Sequence, residues 1–150
     1  MGFFVQSNSI SALPKGTTVD AACMVKYFKD TRHRFNNLRS NPIKFDDMLL
    51  QIDNARPHTA VTTQDYLAVC GVRLVKQSPY SPDLNLCDRF LFTRLQEILR
   101  LEQFDCQADV VKAAQQYCRG LSEETLTKEF GKLLEHCRLV IASGGDYITM

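Results

Sequence analysis

The sequence contains no apolar run near the roughly 18–20 residues that a membrane-spanning helix needs, so that route across a bilayer is excluded. It also lacks the charged start and long apolar stretch of a secretory signal; "MGFFVQSNSISALPKG" has neither. Met1-Gly2 opens no myristoylation context, because Gln6 stands where Ser or Thr is required. No C-x-x-C pair occurs among the six cysteines (Cys23, Cys70, Cys87, Cys106, Cys118 and Cys137). A zinc ribbon is therefore excluded, and reduced thiols are expected. There is no internal repeat and no low-complexity linker. Neither sign of charge dominates: 18 Lys and Arg oppose 17 Asp and Glu, a net charge of +1, so no strong global attraction to nucleic acid follows.

What is present is ordinary in bulk and uneven in detail. With 150 residues, 45% hydrophobic and 23% charged, the chain has the length of one domain. Such a domain buries roughly 68–70% of its unfolded surface. Between Lys26 and Lys44, six basic residues (Lys26, Lys29, Arg32, Arg34, Arg39 and Lys44) face one carboxylate, Asp30. A cluster of this kind contacts phosphates or forms a solvated helix face.

Hydrophobic periodicity orders the elements. Phe3-Phe4-Val5 reads as a short strand, Ser7-Asn8-Ser9 as a turn and Ile10 to Leu13 as a second arm. Thr17 and Asp20 form a capping box before a helix whose apolar face is Val25, Phe28, Phe35 and Leu38. Asn41-Pro42 ends that helix or follows its end. Met48 to Ile52 reads as a buried strand, and a helix from Pro57 or Thr59 to Cys70 follows, capped by Gly71. Val72, Leu74 and Val75 form another short strand, and "SPYSPDLN" is a proline-marked loop. Leu86, Phe90, Leu91, Leu95, Ile98 and Leu99 then repeat at helical spacing. Two further helices are predicted. One runs from near Cys106 to Arg119 with Gly120 as its stop. The other starts at Ser122, with Leu126, Phe130, Leu133, Leu134, Cys137 and Ile141 as its buried face. The fold class is α/β with a helical C-terminal layer.

The chemistry-bearing residues are carboxylates. Asp53 follows the Met48–Ile52 strand, where open α/β sheets place their ligands. Asp88 sits in the first turn of a predicted helix, where the macrodipole favours a negative charge. Two carboxylates ~4 Å apart at an effective dielectric near 20 would repel by about 4 kcal/mol, and a divalent cation relieves that repulsion. Hard oxygen donors suit Mg²⁺ or Mn²⁺, and a pair of such ions drives phosphodiester chemistry. By spacing alone, Asp53 reads more often as a turn or helix cap than as a ligand, Asp88 as a favourable first-turn charge, Asp83 as a turn residue, and Arg56 and Asn54 as loop-fixing groups. His58 either bonds the local turn, touches phosphate or ligates metal.

"IDNARPHTA" followed by "PYSPDLNLCDRFLF" closely resembles the paired signature of mariner transposases, approximately HDNARPHTA and PYSPDLAPCD-FLF. Between Asp53 and Asp88 lie 34 residues, the separation that characterises the last two carboxylates of that family's three-Asp site. The likeness continues in "LVIASGGDYI" and, more loosely, in "LPKGTTVDAACMVKYF", so it spans nearly the whole chain. The resemblance implies a ribonuclease-H-like fold and a nuclear enzyme that cuts and rejoins transposon-end DNA with Mg²⁺ or Mn²⁺. It implies that Asp53 and Asp88 are the second and third metal-binding carboxylates. The basic cluster and the loop after Asp53 add Lys26, Lys29, Arg32, Arg34, Arg56 and His58 as candidate DNA contacts.

The match departs from the pattern in several places. Ile52 replaces a usual polar residue, Asn85-Leu86 replaces Ala-Pro, and "FFVQSNSI" lacks the family's Asp-Gly-type turn. The family's first catalytic Asp and its paired helix-turn-helix modules fall upstream of the matched region. Neither Asp105 nor Asp109 lies in a context that would replace that Asp. Residues 1–150 are therefore expected to be a partial, incomplete ribonuclease-H-like domain without independent strand transfer, whose Met48–Ile52 strand lacks a neighbour. The alternative is a non-enzymatic module that binds DNA or pairs with another transposase chain, as a homodimer or with a full-length transposase. Nothing in the sequence supplies methyltransferase chemistry, although mariner domains occur fused to SET methyltransferases.

Overall fold

Helix α1 (Ala21–Asn36) starts where it does because Asp20, held extended, accepts the Cys23 N–H at 2.8 Å. The cap thus lies three residues beyond the predicted Thr17. Thr17 is occupied elsewhere: its hydroxyl and its N–H both donate to the Pro14 carbonyl, at 2.6 and 3.1 Å, closing the Pro-Lys-Gly turn. The computed structural model describes residues 10–38 and 42–148. The expected Phe3–Val5 strand, the Ser7–Ser9 turn, Arg39 and Asn41 lie outside these. Ile10 to Leu13, expected as an arm, is irregular. The described residues divide into two compact units, one from Ser11 to Pro79 and the other from Tyr80 onward together with Ile10.

In the first unit α1 buries Phe28 and Phe35 against Phe45, Leu67 and Cys70. Leu38 falls beyond the helix, which ends at Asn36 with Asn37 as its cap. Two three-residue strands, β1 (Leu49–Gln51) and β2 (Arg73–Val75), pair in parallel with Leu49 opposite Arg73 and Gln51 opposite Val75. Helices α2 (Arg56–Thr59) and α3 (Val61–Val69) form the crossover between them. The Met48–Ile52 run is not buried throughout, as the sequence implied. Met48, Leu50 and Ile52 pack on the core, while Leu49 on the opposite face is 58% exposed. Side chains alternate across a strand, and the core lies on one face of this one.

The helix expected from Pro57 or Thr59 to Cys70 is broken at Ala60, whose ψ of 139° is extended. Its predicted stop is where the sequence placed it. Gly71 takes φ +72°, its N–H reaches the Ala68 carbonyl at 3.0 Å, and the Val72 N–H reaches that of Leu67 at 3.2 Å. Those two bonds form a Schellman cap.

In the second unit Tyr80 is fully exposed at φ +54°, and a tight turn over Pro82–Leu84 follows. The next helical segment opens with a wide turn over Cys87–Leu91, in which the Phe92 N–H bonds the Cys87 carbonyl five residues back. Helices α4 (Phe92–Leu101), α5 (Gln107–Gly120) and α6 (Glu123–Ala142) complete the unit. Gly120 is the last helical residue of α5 rather than its stop; the chain turns at Leu121. Ser122 caps α6 as expected, accepting the Thr125 N–H at 3.1 Å, with Glu123 and Glu124 in the first turn. The buried stripe of α6 is Leu126, Leu133 and His136, while Leu134 and Ile141, expected inside, are 42% and 78% exposed. At roughly 100° per residue, His136 lies to one side of Leu126 and the other two lie to the opposite side, so the stripe leans toward the histidine. No helix among the described residues is long and apolar enough to cross a membrane. The cysteines are free thiols; Cys118 is buried, which pushes its thiol pKa up.

Two glycines give opposite expectations. A Cβ at Gly131, inside α6, meets nothing within 4 Å, so Gly131→Ala should stabilise by about 0.5–1 kcal/mol in urea denaturation. Gly71→Ala forces a side chain into the left-handed region, with its Cβ 3.2 Å from that of Asp46, and should cost at least about 1–2 kcal/mol. The Asp20 cap predicts a pH effect. The Cys23 N–H bond holds its carboxyl below the ordinary 3.8, so its contribution is full above that value and is lost as pH falls through the lowered one. The circular-dichroism difference between wild type and Asp20→Asn should change only in that acid window.

Candidate functional site

Asp53 leaves β1 through Ile52 into a loop that bonds itself into place. Its Oδ1 accepts the Ala55 N–H at 3.0 Å and stands 2.5 Å from His58 Nδ1. The Asn54 side chain donates to the Gln77 carbonyl at 3.1 Å, tying the loop to the chain that follows β2. The break at Ala60 is held by two side chains of α3. Thr63 Oγ1 donates to the Pro57 carbonyl at 2.7 Å, and Gln64 Nε2 donates to the His58 carbonyl at 2.6 Å. Thr63 has no exposed surface. Oδ1 of Asp53 thus serves the turn, whereas its Oδ2 accepts no hydrogen bond from any described residue. The turn-cap reading therefore describes Oδ1, which takes both Ala55 and His58.

Asp88 lies in the wide turn before α4 and is half-buried. The buried Asn85 shapes that turn: its Oδ1 accepts the Cys87 N–H at 2.9 Å, and its carbonyl accepts the Arg89 N–H at 2.9 Å. Asp83 is more than a turn residue. Its Oδ2 lies 2.6 Å from Nε2 of His136, which is 1% exposed. The sequence reading passed over His136. The available signal was a histidine three residues after Leu133 on an otherwise apolar stripe. Asp53 belongs to the first unit and Asp88 to the second. Among the described residues no group of three or more His, Cys, Asp or Glu is placed to hold a metal ion.

The basic residues of α1 differ in what they touch. Lys26 pairs with Asp30 at 2.9 Å, and Lys29 lies 5.7 Å from the centre of the Tyr66 ring. Arg32 Nη1 donates to Cys70 Sγ at 3.6 Å, and hydrogen bonding to Tyr66 raises the guanidinium's pKa. Burial raises that of the Tyr66 hydroxyl. Arg34 in the last turn of α1 and Arg56 at the start of α2 are exposed, whereas His58 is largely covered and turned onto Asp53.

No family model matches the chain. Over 137 residues it is 25% identical to the human histone-lysine N-methyltransferase SETMAR, covering 91% of this chain and 20% of that protein. It therefore spans about a fifth of the length of that curated relative. Among solved structures it is similar to the Mos1 transposase catalytic domain with raltegravir and Mg, at 25% identity and a TM-score of 0.78. That match covers 89% of this chain and 67% of the other. The Mos1 mariner paired-end complex with Mn gives 27% identity and a TM-score of 0.79, over 89% and 39% of the two chains. The fold is that of a ribonuclease-H-like transposase catalytic domain, here its C-terminal part. Within that class the chain is homologous to SETMAR and structurally similar to the Mos1 mariner transposase.

The loop that carries Asp53 predicts its own weak point. Thr63→Val keeps the shape but removes the donor to the Pro57 carbonyl, and should lower stability by about 1–2 kcal/mol. Val61→Thr on the exposed side of α3 should be close to neutral in the same denaturation assay.

Proposed function

We propose that Asp53 and Asp88 are the second and third metal-binding carboxylates of a mariner-type site for DNA cleavage and strand transfer. The observation that carries this reading is the Asp53 loop. The motif that resembles the family's signature fixes one carboxylate oxygen on Ala55 and His58 and leaves the other unclaimed by the described residues. The 34-residue separation of the two motifs and the likeness to Mos1 structures holding Mg or Mn support it.

The donor set fits Mg²⁺ or Mn²⁺ in kind, since carboxylate oxygens are the hard ligands these ions take. A bound divalent ion supplies activation of an attacking hydroxyl and neutralises charge on the leaving oxygen. The chain's own part is positional. His58 fixes the rotation of the Asp53 carboxylate, and Asn54 anchors the loop against the segment after β2. Arg34 and Arg56 offer exposed charge to phosphates, with Lys26, Lys29 and Arg32 contributing where their present partners yield. DNA, and a second copy of this chain in a homodimer or a full-length transposase, are the proposed partners, and the nucleus is the proposed compartment.

Two carboxylates give a weak site, and the described residues supply no third. The 150-residue chain alone therefore binds Mn²⁺ without strand transfer or specific nicking. The test adds Mn²⁺ to the ¹⁵N-labelled protein and to a labelled DNA duplex. Broadening of amide signals near Asp53 and Asp88, reduced by Asp53→Asn and by Asp88→Asn, is the expected result, with the duplex intact. Failure of Mn²⁺ to broaden either region overturns the metal assignment. Nicking that Asp53→Asn abolishes overturns the inactivity of the isolated chain.

A further inference from the structure

The pair formed by Asp83 and His136 joins residues 53 positions apart, from a loop turn and from the middle of α6. Nearly all of the histidine is buried, and its Nδ1 has no hydrogen-bond partner. Its polar contribution is therefore spent entirely on Asp83. An Asp–His pair is a costly way to fill such a position, because well-packed apolar side chains of similar volume commonly stabilise as much or more. Stability alone does not account for it.

The segment it holds offers an account. The Asp83 side chain is tied to α6, and the Asp83 carbonyl lies 3.5 Å from Nη1 of Arg89, the residue next to Asp88. Between them, the Pro82–Leu84 turn is closed by the Leu84 N–H on the Ser81 carbonyl and the Asn85 N–H on that of Pro82, both at 3.1 Å. Asn85 then shapes the start of the Asp88 turn by accepting from Cys87. Each link from His136 to Asp88 is a hydrogen bond or a single tight turn. We infer that His136 is a positioning residue for Asp88, setting that carboxylate through Asp83 and the Pro82–Asn85 turn. The inference rests on the reading of Asp88 as a metal ligand.

The test measures Mn²⁺ broadening of amides around Asp88 in the full chain, with circular dichroism to verify folding. His136→Leu, which fills the space without a donor, should need about tenfold more Mn²⁺, the usual lower end for loss of a group that orients a metal ligand. His136→Gln, which keeps a donor toward Asp83, should stay within about twofold of wild type by the same scale. Leu126→Ala weakens α6 without touching Asp83 and serves as the stability control; its Mn²⁺ response should match wild type. A wild-type response in His136→Leu, or equal losses in His136→Leu and Leu126→Ala, overturns the positioning role while leaving the metal assignment standing. An Asp88→Asn variant that binds Mn²⁺ as wild type does overturns both. Asp83→Ala reads the same link from the other partner if His136→Leu does not fold.

Discussion

Burial of Phe28 and Phe35 of α1 against Phe45, Leu67 and Cys70 is the contact on which the rest of the Ser11–Pro79 unit depends. Each such aromatic contributes roughly 1.5–3 kcal/mol when taken fully from water. Leu67 of α3 is completely buried in this cluster, and Met48, Leu50 and Ile52 rest on it from the strand side. With the helix and the strand both fixed, the residues between β1 and α3 have little freedom. Their polar groups bond to one another: Asp53 to Ala55 and His58, Thr63 to Pro57, Gln64 to His58. The apolar layer sets where the loop begins and ends, and the hydrogen bonds set which way the carboxylate faces.

The Tyr80–Met150 unit solves the same problem with a polar anchor. Its turns carry one proline, Pro82, a left-handed tyrosine and a wide helical turn, none of which packs a large apolar side chain fully out of water. Asn85 and the Asp83–His136 pair hold this irregular backbone to the helices. Buried polar contacts of this kind demand defined partners at defined distances, so they specify a conformation more narrowly than apolar burial does.

Sequence periodicity made most of the helices legible because each has a repeating face or a recognisable boundary. Ser122 before α6 and Gly71 after α3 are boundary residues whose local chemistry dictates their role. What stayed hidden depended on partners distant in the chain. That Asp20 rather than Thr17 caps α1 follows from the Pro14 carbonyl capturing Thr17. The lean of the α6 stripe toward His136 follows from Asp83, 53 residues earlier. Of the carboxylates, Asp53 and Asp88 stood out through the motifs around them. The orienting contact of His58 was legible as a turn bond, but that the single oxygen Oδ1 takes both Ala55 and His58 was not.

The parallel pairing of β1 and β2 also carries a consequence for how the chain assembles. Leu49 and Arg73 are 24 positions apart, and parallel partners cannot meet through a hairpin. A ladder of three residue pairs returns little for closing so long a loop, so the pairing has to wait until α3 has formed and docked on α1. The strand end that presents Asp53 is therefore ordered late, after the hydrophobic layer beneath it. During synthesis the carboxylate gains its fixed geometry only once Val75, 22 residues downstream, has been added to the chain.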